Sequence, residues 1–175
     1  MNARIPAWVD GALAPVDKLA VHRRGLRHPA LSVFVMDGER TLIQRRALTK
    51  YHTPGLWANA VCTHPHWDED MAVAAARRLR EELGISGLSL VPRDSVEYRA
   101  EVGNGLVEHE VVSLFTAEAA AETLAVVPVP EEVMDVRWVA LDALRDEVAA
   151  DPAAFTPWLR IYLADHGGQI FGAAA

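Results

Sequence analysis

The chain has 175 residues, of which 51% are hydrophobic and 23% charged, with a formal net charge of −7 at pH 7. That length suits one globular domain with its own core, and the acidic surplus argues against broad electrostatic binding to nucleic acid. No run of about 18 apolar residues suggests a membrane span, Met1 to Asp10 lacks a secretory pattern, and a lone cysteine, Cys62, rules out an intrachain disulfide, so a cytoplasmic protein is expected.

Met1 to Asp17 carries no pattern that decides its conformation. Leu31 to Met36 is a short apolar run, Asp37-Gly38 is a turn signal, and Thr41 to Arg46 resumes the strand pattern, which predicts a hairpin ending in Arg45-Arg46. Thr53-Pro54-Gly55 is a turn leading to a short segment from Trp57 to Val61. Asp68 to Leu83 reads as a helix with Ala72, Ala76, Leu79 and Leu83 on one stripe and Gly84 at its end. Val96 to Glu101 and Val107 to Phe115 read as strands joined by Gly103-Asn104-Gly105, and Asp135 to Val139 as another. Leu141 to Ala149 reads as a helix. Thr156-Pro157 opens a last helix that stops at Gly167-Gly168. The chain contains no internal repeat, and its only biased stretch is the tail Ala173 to Ala175. Strands outnumber helices without regular alternation, so the expected class is α+β, a mixed or antiparallel sheet packed by helices.

Several residues stand out for their chemistry. Arg78 and Glu82 are four apart and share a helix face. Glu81 and Glu82 lie at the helix end where the dipole favours cations, which suggests either a bound metal or pairing with Arg77, Arg78 and Arg80. Cys62 and His64, like Glu108 and Glu110, are two apart, so on a strand each pair faces one way and His109 the other. Alone, Cys62 reads equally as a buried apolar thiol or a reactive one. His52, His66, His109 and His166 take surface or capping roles in this reading. Trp8, Trp57, Trp67 and Trp138 are assigned to packing, and Arg23, Arg24, Arg27 and Arg80 to the surface.

Ala76-Arg77-Arg78-Leu79-Arg80-Glu81-Glu82-Leu83-Gly84-Ile85, with Glu69 upstream, resembles the Nudix box, a motif for divalent cations that hold a diphosphate. Thr63 stands where that box has its first glycine, and Arg78 where it has the glutamate after the arginine. The missing glutamate is central to water activation in the hydrolases, which puts hydrolysis in doubt. These departures resemble one branch, the type I isopentenyl-diphosphate isomerases. The likeness continues in Arg45 to Lys50, Pro54 to Asn59, Val61 to Pro65, Tyr98 to Ala100, Glu108-His109-Glu110, Glu131 to Asp135 and Thr156-Pro157-Trp158, in order from Lys18 to Trp158.

The resemblance implies a single Nudix-like domain over residues 1–175, a mixed sheet packed between helices. Residues 1–25 would contribute to the site, the segment before Lys18 could order over bound substrate, and 167–175 would form a tail. It implies metal-dependent isomerisation of isopentenyl diphosphate to dimethylallyl diphosphate in isoprenoid biosynthesis, through a carbocation-like state. Cys62 and Glu110 match the catalytic pair. The family picture routes protonation through Glu110 and deprotonation through a Cys62 thiolate, and the reverse is chemically open. Tyr98 either hydrogen-bonds Glu110 or packs in the core. Trp158 would shelter the cation, for which an indole face is worth about 2 kcal/mol when water is excluded.

His22, His28, His64, Glu108 and Glu110 match a metal site suited to Mg²⁺, Mn²⁺ or Zn²⁺, although His22 and His28 are closer together than the family often has them. Glu82 matches the ligand of a second Mg²⁺ that arrives with the substrate. Lys18, Arg46, Lys50 and Arg78 match contacts to the diphosphate, with Arg45 and Arg77 as lesser neighbours. The expected partner is a small diphosphate, with no nucleic acid or membrane, and the chain a monomer or weak homodimer. Two rivals are a hydrolase of nucleoside diphosphate derivatives, opposed by Arg78, and a non-catalytic diphosphate-binding module, opposed by the acid–base pair.

Overall fold

A computed structural model describes residues 4–172. The chain begins with a hairpin of β1 (Arg4–Val9) and β2 (Ala12–Asp17). Its turn is Asp10-Gly11, with φ of 50° and 83°. Positive φ at both turn positions is what an Asp-Gly hairpin supplies. The Asp17 side chain then caps α1 (Lys18–Arg24), accepting from the Ala20 N–H at 3.0 Å.

The main sheet contains β3 (His28–Asp37), β4 (Arg40–Arg46), β5 (Trp57–Asn59), β6 (Val61–Thr63), β7 (Val91–Glu101), β8 (Val107–Glu118) and β9 (Val133–Ala140). The strand order is β5-β4-β3-β8-β7, with β6 on β3 and β9 on β4. β3 runs parallel to β8 and the other pairs are antiparallel, so the sheet is mixed. β3 and β4 pair only at their tip, Met36 with Thr41 and Asp37 with Arg40. Below the tip β3 turns to β6 and β8 while β4 turns to β5 and β9.

Helices cover both faces. Leu31, Val33 and Val35 of β3 pack with Leu79 and Leu83 of α2 (Met71–Leu83), and Ala30, Phe34 and Met36 belong to the other core. That second core includes residues of α3 (Leu141–Ala150), α4 (Pro157–Asp165) and α5 (Gly167–Phe171). The period of two along β3 thus feeds two hydrophobic cores. No described helix is long and apolar enough to cross a membrane.

Several expectations need correction. α2 starts at Met71, because Asp70 rather than Asp68 caps it, accepting from the N–H groups of Ala72 and Val73. Its buried face is Ala74, Ala75, Leu79, Glu82 and Leu83, while Ala72 and Ala76 are exposed. Six apolar and small residues in its first turns left the phase ambiguous, and the burial of an acid was not anticipated. β7 begins at Val91, with a register shift between Pro92 and Ser95. Gly167-Gly168 opens α5 instead of closing α4, which ends at Asp165; buried Ile170 anchors the new turn. Trp67 is exposed, so it does not pack as expected. Trp57 and Trp138 pack against the cores as expected, Trp57 also lying under the Arg137 guanidinium, while Trp8 lies under that of Arg27. The tail residues Ala173 to Ala175 lie outside the described residues.

Gly84 ends α2 at φ 66°, where an added Cβ would lie 3.0 Å from both Cβ and carbonyl oxygen of Val127. Gly84→Ala is therefore expected to cost about 1–2 kcal/mol or more in denaturant unfolding, whereas Gly168→Ala, in open helical space, is expected to be near neutral.

Candidate active site

The divergence of β3 from β4 opens a cavity, and the polar residues of the chain converge there. α1 supplies His22, the start of β3 supplies His28, the residue after β6 is His64, and β8 supplies Glu108 and Glu110. The parallel register sets His28 directly beside Glu110. All five are buried. The carbonyl oxygens of Lys18 and Leu26 lie 2.6 Å from His22 Nδ1 and 2.7 Å from His28 Nδ1. A carbonyl only accepts, so both Nδ1 atoms carry hydrogen and both Nε2 atoms face the cluster.

Ligand atoms of His22, His28, His64 and Glu108 lie within 4.8 Å of one another. His28 Nε2 is 3.0 Å from His64 Nε2. Glu108 Oε2 is 3.1 Å from His22 Nε2 and 3.4 Å from His28 Nε2, yet it accepts no well-formed hydrogen bond. A buried carboxylate oxygen facing three imidazole nitrogens fits a divalent cation with nitrogen and oxygen ligands. Glu110 stands at the edge of this group. Its Oε1 is 3.0 Å from His64 Nε2, and its Oε2 accepts from the Tyr98 hydroxyl at 2.5 Å. Tyr98 is thus both a core aromatic and the partner of Glu110.

Electrostatics follow from this crowding. Burial opposes a charge on His28, but Glu108 and Glu110 outweigh it and raise its pKa to about 10. Burial drives His64 down to about 3, helped by Lys18 and His28. Glu108 and Glu110 resist burial and stay below the ordinary carboxylate value because imidazoles surround them. Burial, then the charge of Glu110, raises the Cys62 thiol. Cys62 faces Ser32 across the β3–β6 pairing and lines the cavity.

Lys18, Arg46, Lys50 and Arg78 line the same cavity with Trp158. Three of the four make hydrogen bonds. Arg78 bonds Glu82 Oε1 from Nε at 3.0 Å and Nη2 at 2.5 Å, and Nη2 reaches Glu132 at 3.3 Å. Lys50 also bonds Glu132. Arg46 donates to the carbonyls of Thr53 and His52 at 3.2 Å each, with its guanidinium 5.2 Å from the Trp158 ring centre. Lys18 lies over the Tyr51 ring, and burial lowers its pKa. Glu82 is buried, its second oxygen accepting from Gln44 at 2.8 Å. Arg77 is drawn away to Glu69 and Glu81.

Three cavity neighbours had no site role in the sequence reading, one being Tyr51, whose hydroxyl lies 3.4 Å from His22 Nε2. His52, expected at the surface or in a cap, is 5% exposed and lies 3.2 Å from Glu108 Oε1. Glu132 was given no role; its position between Lys50 and Arg78 arises from a loop, and its only sequence signal was the Glu131 to Asp135 likeness. His66 is exposed, His109 pairs with Glu97 on the far side of β8, and His166 bonds Gln169 between α4 and α5.

Residues 26–159 match the NUDIX domain family. An isopentenyl-diphosphate Delta-isomerase of Dinoroseobacter shibae is 65% identical over 100% of this chain and 99% of that relative. One from Cereibacter sphaeroides is 64% identical over 98% of this chain and 97% of its own. Among solved structures, a protein from Deinococcus radiodurans superposes with TM-score 0.73 at 16% identity, covering 91% of this chain and 96% of that one. A MutT NUDIX hydrolase from Burkholderia pseudomallei gives TM-score 0.61 at 23% identity, covering 80% and 98%. At such identities the structures speak for the fold alone. The chain belongs to the NUDIX domain family and, within it, to the family of the isopentenyl-diphosphate Delta-isomerases.

Proposed function

We propose that this chain interconverts isopentenyl diphosphate and dimethylallyl diphosphate by moving one proton onto the alkene and another off the carbon nearer the diphosphate. The observation that carries the reading is that Cys62 and Glu110, two different proton carriers, line one cavity with Trp158 and four cationic side chains. It is strengthened by the high identity to relatives that bear the isomerase name. Arg78 favours this over hydrolysis: its guanidinium is tied to Glu82, so no carboxylate stands at that position to activate water.

The chain's residues divide the work. Lys18, Arg46, Lys50 and Arg78 take up diphosphate charge that a net charge of −7 would otherwise repel. Tyr98 holds one oxygen of Glu110, leaving the other on the side of His64. Burial keeps Cys62 as a thiol while His28 and His64 hold Glu110 as a carboxylate, so the resting pair carries one proton. An isomerisation takes up one proton and gives one back, so no external acid is consumed. Trp158, 1% exposed, offers an aromatic face that tolerates positive charge and excludes water. A divalent cation (Mg²⁺, Mn²⁺ or Zn²⁺) held by His22, His28, His64 and Glu108 would supply fixed positive charge beside Glu110. Mg²⁺ arriving with the diphosphate would be received by Glu82. Substrate uptake would also separate Glu132 from Lys50 and Arg78.

The purified protein, given isopentenyl diphosphate and Mg²⁺, is expected to form the allylic product without releasing phosphate, and a chelator to stop it. Phosphate release in place of allylic product would sink the reading. Cys62→Ala and Glu110→Gln are each expected to lower kcat by about 10²–10⁴-fold, with an unchanged circular dichroism spectrum. Full activity in either would remove that residue from the chemistry. Glu132→Gln removes a carboxylate that competes for Lys50 and Arg78. Calorimetry should show inorganic pyrophosphate binding about twofold to fivefold more tightly to this variant; unchanged or weaker binding would show that Glu132 is no competitor.

A further inference from the structure

We infer that His52 is a positioning residue for the buried cation site: it packs on the outer oxygen of Glu108 and fixes the direction of the inner one. The inference rests on reading the His22, His28, His64 and Glu108 cluster as a metal site.

The two oxygens of Glu108 have different neighbours. Oε2 faces His22 and His28 at 3.1 and 3.4 Å, while Oε1 lies 3.2 Å from His52 Nε2. The terminal torsion of a glutamate is soft, so a carboxylate contacted on one oxygen alone would turn readily. The imidazole of His52 opposes that rotation. Its own orientation is set from several sides. Nδ1 is 3.1 Å from Thr53 Oγ1, and a hydroxyl donating there leaves the ring hydrogen on Nε2, facing the carboxylate. The ring stacks with His22 at 5.7 Å and meets Trp158 edge-on at 6.0 Å.

The backbone supports the same conclusion. Thr53 adopts φ 45°, a left-handed conformation that a β-branched residue avoids. Arg46 donates to the carbonyls of both His52 and Thr53, holding the loop in this shape. Local strain kept in place by a buried guanidinium is found where a side chain must be aimed. The imidazole is aimed at the back of a candidate ligand, where outer partners of a metal site act.

The test uses the full chain, stripped with chelator and titrated with Mn²⁺, free ion being read by electron paramagnetic resonance. His52→Ala should weaken Mn²⁺ binding about 10–100-fold, and His52→Gln, which keeps a side-chain N–H, should recover most of it. Thermal unfolding of the stripped variants within a few degrees of the parent would place the effect in the site and not in folding. Mn²⁺ affinity of His52→Ala within twofold of the parent would overturn the role of His52 while leaving the metal site standing. A parent chain that binds no Mn²⁺ would overturn both.

Discussion

Two carboxylates and four imidazoles share a space from which solvent is almost absent, and the rest of the structure answers to that crowding. A lone buried carboxylate would take up a proton or unfold its surroundings. Glu108 and Glu110 remain charged because His22, His28, His52 and His64 face them from four separate segments. Lys18 and Leu26 in turn direct the rings of His22 and His28 through backbone carbonyls. The cluster cannot be assembled from any one element, so it ties α1, β3, β8, the residue after β6 and the loop after β4 into one arrangement.

The splitting of β3 from β4 makes room for this. A hairpin paired along its whole length would fill the space with backbone. Here β4 spends its hydrogen bonds on β5 and β9, and β3 spends its own on β6 and β8. The opening is lined both by Cys62, His64, Glu108 and Glu110 and by Lys18, Arg46, Lys50 and Arg78. The ion pairs of Arg78 and Lys50 with Glu82 and Glu132 offset part of this positive charge.

Much of this could be read in the sequence, and what could not has physical causes. The strand period placed Glu108 and Glu110 together and His109 opposite, because alternation in a strand survives any tertiary context. The α+β class and most element positions followed from turn residues and hydrophobic runs. The N-terminal hairpin had a legible signal in Asp10-Gly11 that was not used. His52 and Glu132 had none of that kind, since loops aim them: no local preference of threonine predicts φ 45° at Thr53, and only Arg46 and the cavity explain it. The face of α2 was misjudged because its alanines fit more than one stripe, and Glu82 belongs to the buried face despite its charge.

The single parallel pairing among the described strands, β3 with β8, has a consequence for folding. It joins segments far apart in the chain, and such pairings form slowly because a long loop must close first. It also carries its own proofreading. A slip of one residue would turn Glu108 and Glu110 away from His28 and bring His109 inward, dismantling the ligand cluster in a single move. A cation held by that cluster would bind only the correctly registered chain, and mass action would then draw late-folding molecules toward that register and away from its neighbours.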